Sequence, residues 1–179
     1  TSFVGLSVAA AGNYNALNLG VLTSNVATIN RADYVTISGT KTYDGSALFT
    51  SGQVTLAGVN SETFNLAASA NSANATANPT NPATSFVGLS VAAAGNYNAL
   101  NTATLTSNVA TINRADYQSI SGTKTYDGSA LFTSGQVTLT GVNSETFNLA
   151  ASANSANASA NSTNPATNFV SLSLGATGN

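Results

Sequence analysis

The sequence predicts an all-β fold, and three observations support that prediction. Short runs rich in Val, Ile, Thr, Tyr and Phe alternate with Gly, Asn, Ser and Pro, the pattern of strands separated by turns. No stretch sustains the hydrophobic periodicity of an amphipathic helix. The chain also repeats itself, since 84–166 match 1–83 with eight substitutions and no insertion. A period of this length suits one small core, so we expect a tandem array of similar units.

Eight short strands are predicted in the first period. They span residues 3–8, 14–17, 25–29, 34–38, 40–43, 47–49, 53–56 and 63–68. Many short strands with regular turn signals are typical of a two-sheet sandwich, so the predicted fold is a tandem series of immunoglobulin-like β-sandwich repeats, one per period, joined end to end. The Ala- and Asn-rich stretch 67–85 is predicted to form an edge strand to about Asn74 and then a loop.

Aromatic residues supply most of the predicted core. Six recur per period, and burying one such side chain stabilises a fold by roughly 1.5–3 kcal/mol. Phe3 and its equivalents Phe86 and Phe169 are assigned to this core. Tyr14 and Tyr97 each follow a strand and a small-residue corner, so we expect a tyrosine corner in which the hydroxyl bonds back to preceding backbone. The alternative is that both tyrosines are ordinary core aromatics.

A tight turn is predicted where an Asp-Gly pair separates two strand-like runs. Glycine can take the positive φ that a tight hairpin needs, so a β-hairpin is expected there. A calcium site is the alternative, but calcium takes several oxygen ligands at short spacing and no second carboxylate lies nearby in the sequence. The predicted turn residues are Tyr43, Asp44 and Gly45, with Tyr126, Asp127 and Gly128 at the equivalent positions.

The composition excludes several classes of partner. Charged residues make up 6% of the chain, against about 25% in ordinary soluble domains. Four basic and six acidic residues provide no clustered positive charge, so neither nucleic acid nor an anionic membrane surface is expected as a partner. No apolar run approaches the length of a membrane span, so no membrane insertion is expected in this segment.

The composition also argues against catalysis and cofactor binding. Cys, Met, Trp and His are all absent, which removes thiolate nucleophiles, imidazole bases and most transition-metal ligands. We therefore expect no enzymatic activity, no metal and no cofactor. One covalent alternative remains, an isopeptide cross-link between a lysine and an asparagine with a glutamate as proton shuttle. Its candidates are Lys41 with Glu62 and the equivalent Lys124 with Glu145.

Four motifs in one period resemble a known family. TKTYDGS, QVTLAGVNSETF, FVGLSVAAAGNY and VATINRA follow, in this order, the pattern of the YDG domain of bacterial surface adhesins related to filamentous haemagglutinin. The resemblance spans a whole period, and it departs from the family pattern in the stretch SANSANATANPTNP. It implies an extracellular or cell-surface location and a partner that is a neighbouring copy of the same repeat.

The family pattern sets the frame of the repeats. In that frame residues 34–116 are one complete repeat, residues 1–33 are the C-terminal part of a preceding one and residues 117–179 are the N-terminal part of a following one. The two partial repeats overlap only in residues 1–13 and 167–179, which occupy the same positions of the period, and apart from this overlap they add up to one period. Either the chain is a window on a longer array, or a neighbouring copy completes each partial repeat by strand addition.

The expected function is structural. Near-identical units strung head to tail serve reach, valency or mechanical span, so we expect a stalk or fibre region of an extracellular adhesin or biofilm-matrix protein. One alternative is a self-assembling filament subunit joined by donated β-strands. The other is a repeated module that binds glycans or ice weakly through its Asn, Thr and Ser faces, where multivalency would add affinity.

Overall fold

The structure is a computed structural model that describes residues 1–76, 84–158 and 167–172. These residues form β-strands in four sheets and short 3₁₀ turns, with no α-helix among them, which confirms the all-β prediction. The strands are β1 (Thr36–Thr42), β2 (Leu48–Phe49), β3 (Val54–Ala57), β4 (Thr63–Asn65), β5 (Ala68–Ala70), β6 (Phe86–Val87), β7 (Ser107–Asn113), β8 (Ser119–Gly122), β9 (Leu131–Phe132), β10 (Val137–Thr140), β11 (Thr146–Asn148), β12 (Ala151–Ala153) and β13 (Phe169–Leu172). The 3₁₀ turns are η1 (Leu19–Val21), η2 (Val59–Ser61), η3 (Thr102–Thr104) and η4 (Val142–Ser144).

Two sheets form the part of the chain that we call the middle unit, residues 34–116. One sheet has the strand order β4-β3-β1-β7 and the other has the order β2-β5-β6. β1 pairs antiparallel with β3, whereas β7 lies parallel to β1 along its whole length, from Thr36 opposite Ser107 to Thr42 opposite Asn113. The strand that opens the unit is therefore paired with the strand that ends it.

The hydrophobic core lies between these two sheets. Ile37 and Ile112 from the first sheet and Phe49 and Phe86 from the second belong to one buried cluster. The rings of Phe49 and Phe86 meet edge to face at 5.1 Å between centroids. Aromatic pairs in this geometry contribute about 0.5–1.5 kcal/mol beyond their area burial. The aromatic core expected from the sequence is thus present in the middle unit.

One glycine permits the close contact between the sheets. A Cβ at Gly39, in the middle of β1, would lie 2.7 Å from both the Gln53 carbonyl oxygen and the Phe86 ring. Carbon atoms in ordinary contact are roughly 3.5–4.0 Å apart. The glycine is therefore required, because the backbone just before β3 and a core ring together occupy the space of a side chain.

The downstream unit, residues 117–172, repeats these elements. Its sheets have the orders β11-β10-β8 and β13-β12-β9, and each of these strands lies one period after its counterpart or overlaps that position. Its buried cluster is smaller and contains Val137, Leu149 and Ala151. Among the residues that the structure describes, no strand pairs with the outer edge of β8.

The upstream segment, residues 1–33, contains no strand, so the strands predicted at 3–8, 14–17 and 25–29 are not formed in this copy. The core assignment of Phe3 is wrong, because its side chain is 52% exposed whereas Phe86 is 2% exposed. Phe169 is half-buried against the smaller cluster. The sequence around Phe3 and Phe86 is the same. The two side chains differ in exposure because a sheet packs against Phe86 but not against Phe3.

The prediction of a β-hairpin at residues 43–45 is also wrong. The turn connects β1 and β2, which belong to different sheets and do not pair with each other. Residues 126–128 connect β8 and β9 across two sheets in the same way. A sharp turn with a positive-φ glycine is present, at Gly45 (φ 79°), but it moves the chain between sheets.

The predicted strand at 63–68 is divided in the same manner between β4 and β5. β5 is the central strand of its sheet, not an edge strand, and it ends at Ala70. The loop predicted after Asn74 falls largely on residues 77–83, which lie outside the described residues.

Candidate functional site at the joint between units

The two units meet end to end through a short connection. β7 ends at Asn113, beside the end of β1, and β8 begins at Ser119. The turn at residues 43–45 follows β1 at this same end of the middle unit. In the downstream unit, Ser119 pairs with Thr140, the last residue before the turn that contains η4. We call the connection 114–118, the turn 43–45 and the turn 141–145 together the joint.

Side chains from both units contact each other across the joint. The Tyr43 hydroxyl donates a hydrogen bond to the Glu145 carboxylate, and the Tyr43 backbone N–H donates to the Asn113 carbonyl at 2.8 Å. Tyr43 is consequently 7% exposed, whereas the equivalent Tyr126 is 64% exposed. A buried tyrosine hydroxyl normally requires such a partner. This contact therefore fixes one unit against the next.

Gly45 brings the two turns into close contact. A Cβ at this position would lie 2.6 Å from Nδ2 of Asn143, which is itself in the left-handed region at φ 57°. The φ of Gly45 is also positive, so a larger residue would both collide with Asn143 and force its own backbone into an unfavourable conformation. The Tyr-Asp-Gly motif thus supplies the hydroxyl and the close approach that the joint needs.

Within the turn, Asp44 organises the backbone. Its Oδ1 accepts hydrogen bonds from Lys41 Nζ at 2.6 Å and from the Ser46 N–H at 3.0 Å. Partial burial raises the pKa of Asp44, but the hydrogen bond from Lys41 and the one from Ser46 outweigh it, so the pKa lies below its ordinary value. In the downstream unit the hydrogen bond from Lys124 likewise lowers the pKa of Asp127. Both aspartates are therefore ionised turn residues.

The lysines have structural contacts, and this corrects the isopeptide hypothesis. Lys41 Nζ also donates to the Leu48 carbonyl at 2.9 Å and lies 5.2 Å from the Phe49 ring centroid. Lys124 has the same arrangement with Leu131 and Phe132. Glu62 lies at the opposite end of β1, beyond the residues that pair with Thr36. Glu145 likewise follows Thr140, which pairs with Ser119 at the end of β8 away from Lys124, so the structure does not bring either lysine to its proposed glutamate.

Tyr97 occupies the opposite end of the middle unit from the joint. Its hydroxyl donates to the Glu62 carboxylate and lies 3.3 Å from the Val59 carbonyl oxygen, and its ring stacks on Tyr34 at 4.8 Å. The hydrogen bond to Glu62 and burial raise the pKa of Tyr97. The Val59 carbonyl is preceding backbone, as expected of a tyrosine corner, but it lies 38 positions upstream, and the Glu62 side chain also accepts from the hydroxyl. The equivalent Tyr14 is 83% exposed, so for this copy both the tyrosine corner and the alternative of a core aromatic are wrong.

A glycine makes room for Tyr97. A Cβ at Gly58 would overlap the Tyr97 hydroxyl and lie 2.6 Å from its Cε1 atom. The tyrosine ring thus fits directly over the backbone at this turn. We call Gly58 with Glu62 the tyrosine seat of the middle unit, and Gly141 with Glu145 is the equivalent seat of the downstream unit.

The connection that enters the middle unit is anchored as well. The Ala32 N–H donates to the Asn96 carbonyl at 2.8 Å, and the Asn98 N–H donates to the Ala32 carbonyl at 2.9 Å. The Asn98 side chain also donates to Asp33 Oδ1 at 2.8 Å. Residues 31–33 are therefore held on the loop 94–98, next to Tyr97.

Sequence reasoning missed the role of Glu62 and Glu145 as tyrosine acceptors. Each follows a Gly-Val-Asn-Ser turn in which the Asn has positive φ, and this local signal could have placed the carboxylate at a unit end. The described residues contain no cluster of acidic residues that could hold a metal ion, and none of their helices is long and apolar enough to cross a bilayer. Comparison of the chain with protein families, curated proteins and solved structures gave no match.

Proposed function

We propose that this chain is a structural repeat region, the stalk or fibre of an extracellular bacterial adhesin or biofilm-matrix protein, and that it has no catalytic role. In this proposal each period is an immunoglobulin-like β-sandwich of the YDG type. Its partners are neighbouring repeats, and its role is to extend the protein over a distance.

The observation that carries the proposal is the joint. The last strand of one unit leads directly into the first strand of the next, and Tyr43 donates across the contact to Glu145. A contact at which backbone connection and side chains both cross restricts bending more than a free linker does. Repetition of such a joint favours a stiff array whose length grows with the number of units.

Composition and resemblance support the same function. A chain with 6% charged residues and no His or Cys carries few groups that bind or react. The order of the motifs around Tyr43, Asp44 and Gly45 resembles that of exported adhesin repeats. The cell-surface location follows from that resemblance alone.

Lengthening the array tests the proposal. One, two and three further copies of residues 34–116 are inserted in register after Asp116, and the maximum dimension is measured by small-angle X-ray scattering. We expect an equal increase per copy, on the order of a few tens of ångströms, because a seven-residue strand such as β1 spans about 23 Å at ~3.3 Å per residue.

A matched series in which residues 114–116 of each connection are replaced by a Gly-Ser linker is the control, since it keeps the equivalent of the buried Tyr34 in every unit. Its dimension should grow with roughly the square root of the number of units, as expected of flexible beads. The same square-root growth in the native series would contradict the stalk proposal.

A further inference from the structure

The chain enters and leaves the middle unit at opposite ends of one strand pair. β1 is the first strand of this unit and β7 is the last, and the two run parallel along all seven residues of β1, from Thr36 to Thr42. The chain therefore enters at the beginning of β1 and leaves at the far end of its direct neighbour. Had the two strands been antiparallel, both connections would lie at the same end of the pair.

This arrangement decides how a pull on the chain reaches the unit. A force along the chain draws the beginning of β1 and the end of β7 in opposite directions, each along its own axis. The two strands can then separate only by sliding past each other, so the evenly spaced hydrogen bonds between them are loaded together. A single backbone hydrogen bond contributes little net stability, and resistance to a pull therefore depends on sharing the load.

Further hydrogen bonds extend the strand pair at both ends. At the entry, the Thr106 N–H donates to the Val35 carbonyl at 2.8 Å, just before the paired residues. At the exit, the Tyr43 N–H donates to the Asn113 carbonyl, also at 2.8 Å. The Tyr43 hydroxyl in turn donates to Glu145 of the downstream unit. The residue pairs that would open first under load are therefore held by bonds that lie beyond them.

The outer edge of β7 is covered as well. Thr84 and Ala110 exchange backbone hydrogen bonds at 2.8 and 3.3 Å, and the Thr76 hydroxyl accepts from the Ile112 N–H at 2.9 Å. The Asn108 side chain bonds to the backbone of β6 through both its carbonyl and its amide group. Ala110 and Ile112 are each 0% exposed. Water consequently has little access to β7 from this side, where it could compete for the hydrogen bonds of the strand.

We propose that the parallel pair of β1 and β7 is a clamp that makes the unit resist extension when the chain is pulled along its length. This load-bearing role goes beyond the stalk role, because a stiff array could consist of units that open easily, and a flexible array of units that do not. The growth of the maximum dimension tests the stalk and the force needed to open one unit tests the clamp, so either proposal can fail alone.

Pulling the same unit in two directions tests the clamp. The full chain has no Cys, so a pair of introduced cysteines defines where DNA handles apply the force. The along-strand variant carries Arg31→Cys and Arg114→Cys, which lie before β1 and just after β7. The across-strand variant shares Arg114→Cys but carries Thr42→Cys, at the end of β1 that lies beside the end of β7. This second pair of handles opens the residue pairs one after another.

Each variant carries alanine where the other has its own cysteine. The along-strand variant therefore includes Thr42→Ala and the across-strand variant includes Arg31→Ala. The Arg31, Thr42 and Arg114 side chains are exposed, so we expect both variants to fold as wild type does. Urea unfolding without applied force is the control, and it should give the same midpoint for the two variants.

Single-molecule force spectroscopy at one pulling speed measures the force at which the middle unit opens. Opening along the strands releases residues 31–114, which lengthens the chain by roughly 250 Å at up to about 3.6 Å per residue and so identifies the event. We expect the force to be at least about twofold higher along the strands than across them, because seven residue pairs share the load in the first case and bear it in turn in the second.

The direction of pulling has to matter if the clamp exists. Equal opening forces in the two directions would overturn the proposal. So would a lower force along the strands than across them, or a middle unit that extends along the strands gradually with no distinct opening event.

Discussion

Tyr97 and Tyr14 show how much of a residue's role depends on what surrounds it. Residues 1–17 and 84–100 are identical, yet the Tyr14 side chain is 83% exposed and the Tyr97 side chain is 3% exposed. Tyr97 packs on Tyr34 and donates to Glu62, residues that precede it and are far away in sequence. The sequence predicts a special role for this tyrosine but not its partners, because Tyr34 precedes β1 and Glu62 follows the η2 turn, both far upstream in the chain.

The Tyr97 hydroxyl should make stability depend on alkaline pH. Its raised pKa means that the folded state favours the neutral phenol, so this stabilisation is complete below the ordinary value of 10.0 and is lost as the pH rises through it towards the folded-state pKa. Tyr97→Phe should lower stability at neutral pH and flatten this alkaline decline. Urea unfolding followed by far-ultraviolet circular dichroism, from neutral pH to above pH 10.0, measures both effects.

Tyr14→Phe is the matched control, in the same sequence context, and should retain the wild-type dependence in dilute solution. If the stability of Tyr97→Phe changed with pH in parallel with that of wild type at all pH values, the hydroxyl would not be the cause of the alkaline decline.

At the level of strands, the sequence predicts the existence of elements better than their pairing. The strands predicted at 34–38 and 40–43 form a single strand, β1, and the strand predicted at 53–56 forms β3. The parallel pair of β1 and β7 was not predictable, because it joins the two ends of the unit and no local pattern encodes a parallel partner. The turn at Gly45 was predicted from its glycine, but whether the next strand stays in the sheet depends on the core between the sheets.

Gly39 and Gly52 provide a matched pair for testing the contact between sheets. Gly39→Ala should destabilise the protein by about 1–3 kcal/mol, because its methyl group would overlap the Gln53 carbonyl and the Phe86 ring. Gly52→Ala should have little effect, since a Cβ there contacts nothing within 4 Å. Chemical denaturation of both variants measures the difference, and equal stabilities would contradict the packing described for β1.

At the scale of the whole molecule, the joint determines how units are arranged. The repeat length and the head-to-tail order follow from the sequence, since the motifs of 1–83 recur in 84–166 without insertion. The contact between Tyr43 and Glu145 does not, because the two residues are 102 positions apart and lie in different periods. The few charged residues of the chain do not mark this contact in the sequence. The contact depends on the direction in which the connection 114–118 leaves the middle unit.

Tyr43→Phe should loosen the joint without unfolding either unit. It removes the hydroxyl that donates to Glu145 and leaves the ring in place. The chain has no Cys, so spin labels can be placed at Thr50→Cys and Thr133→Cys, two exposed equivalent positions. Electron–electron double resonance should give a broader distribution of label distances in the Tyr43→Phe variant, with an unchanged thermal transition.

Tyr126→Phe, at the equivalent and 64% exposed position, should leave that distribution as in wild type at concentrations where the chain is monomeric. Identical widths for Tyr43→Phe and wild type would exclude the hydroxyl as a constraint on the joint.

The parallel pairing of β1 with β7 has a consequence for mechanical damage. If a fibre of these units is cut within a unit, between β6 and β7, one fragment is left with an uncovered β1 and the other with β7, the strand that fits it. The broken ends are therefore complementary, and no disulfide has to be re-formed, because the chain contains no cysteine. Such a material could rejoin after shear without any repair enzyme.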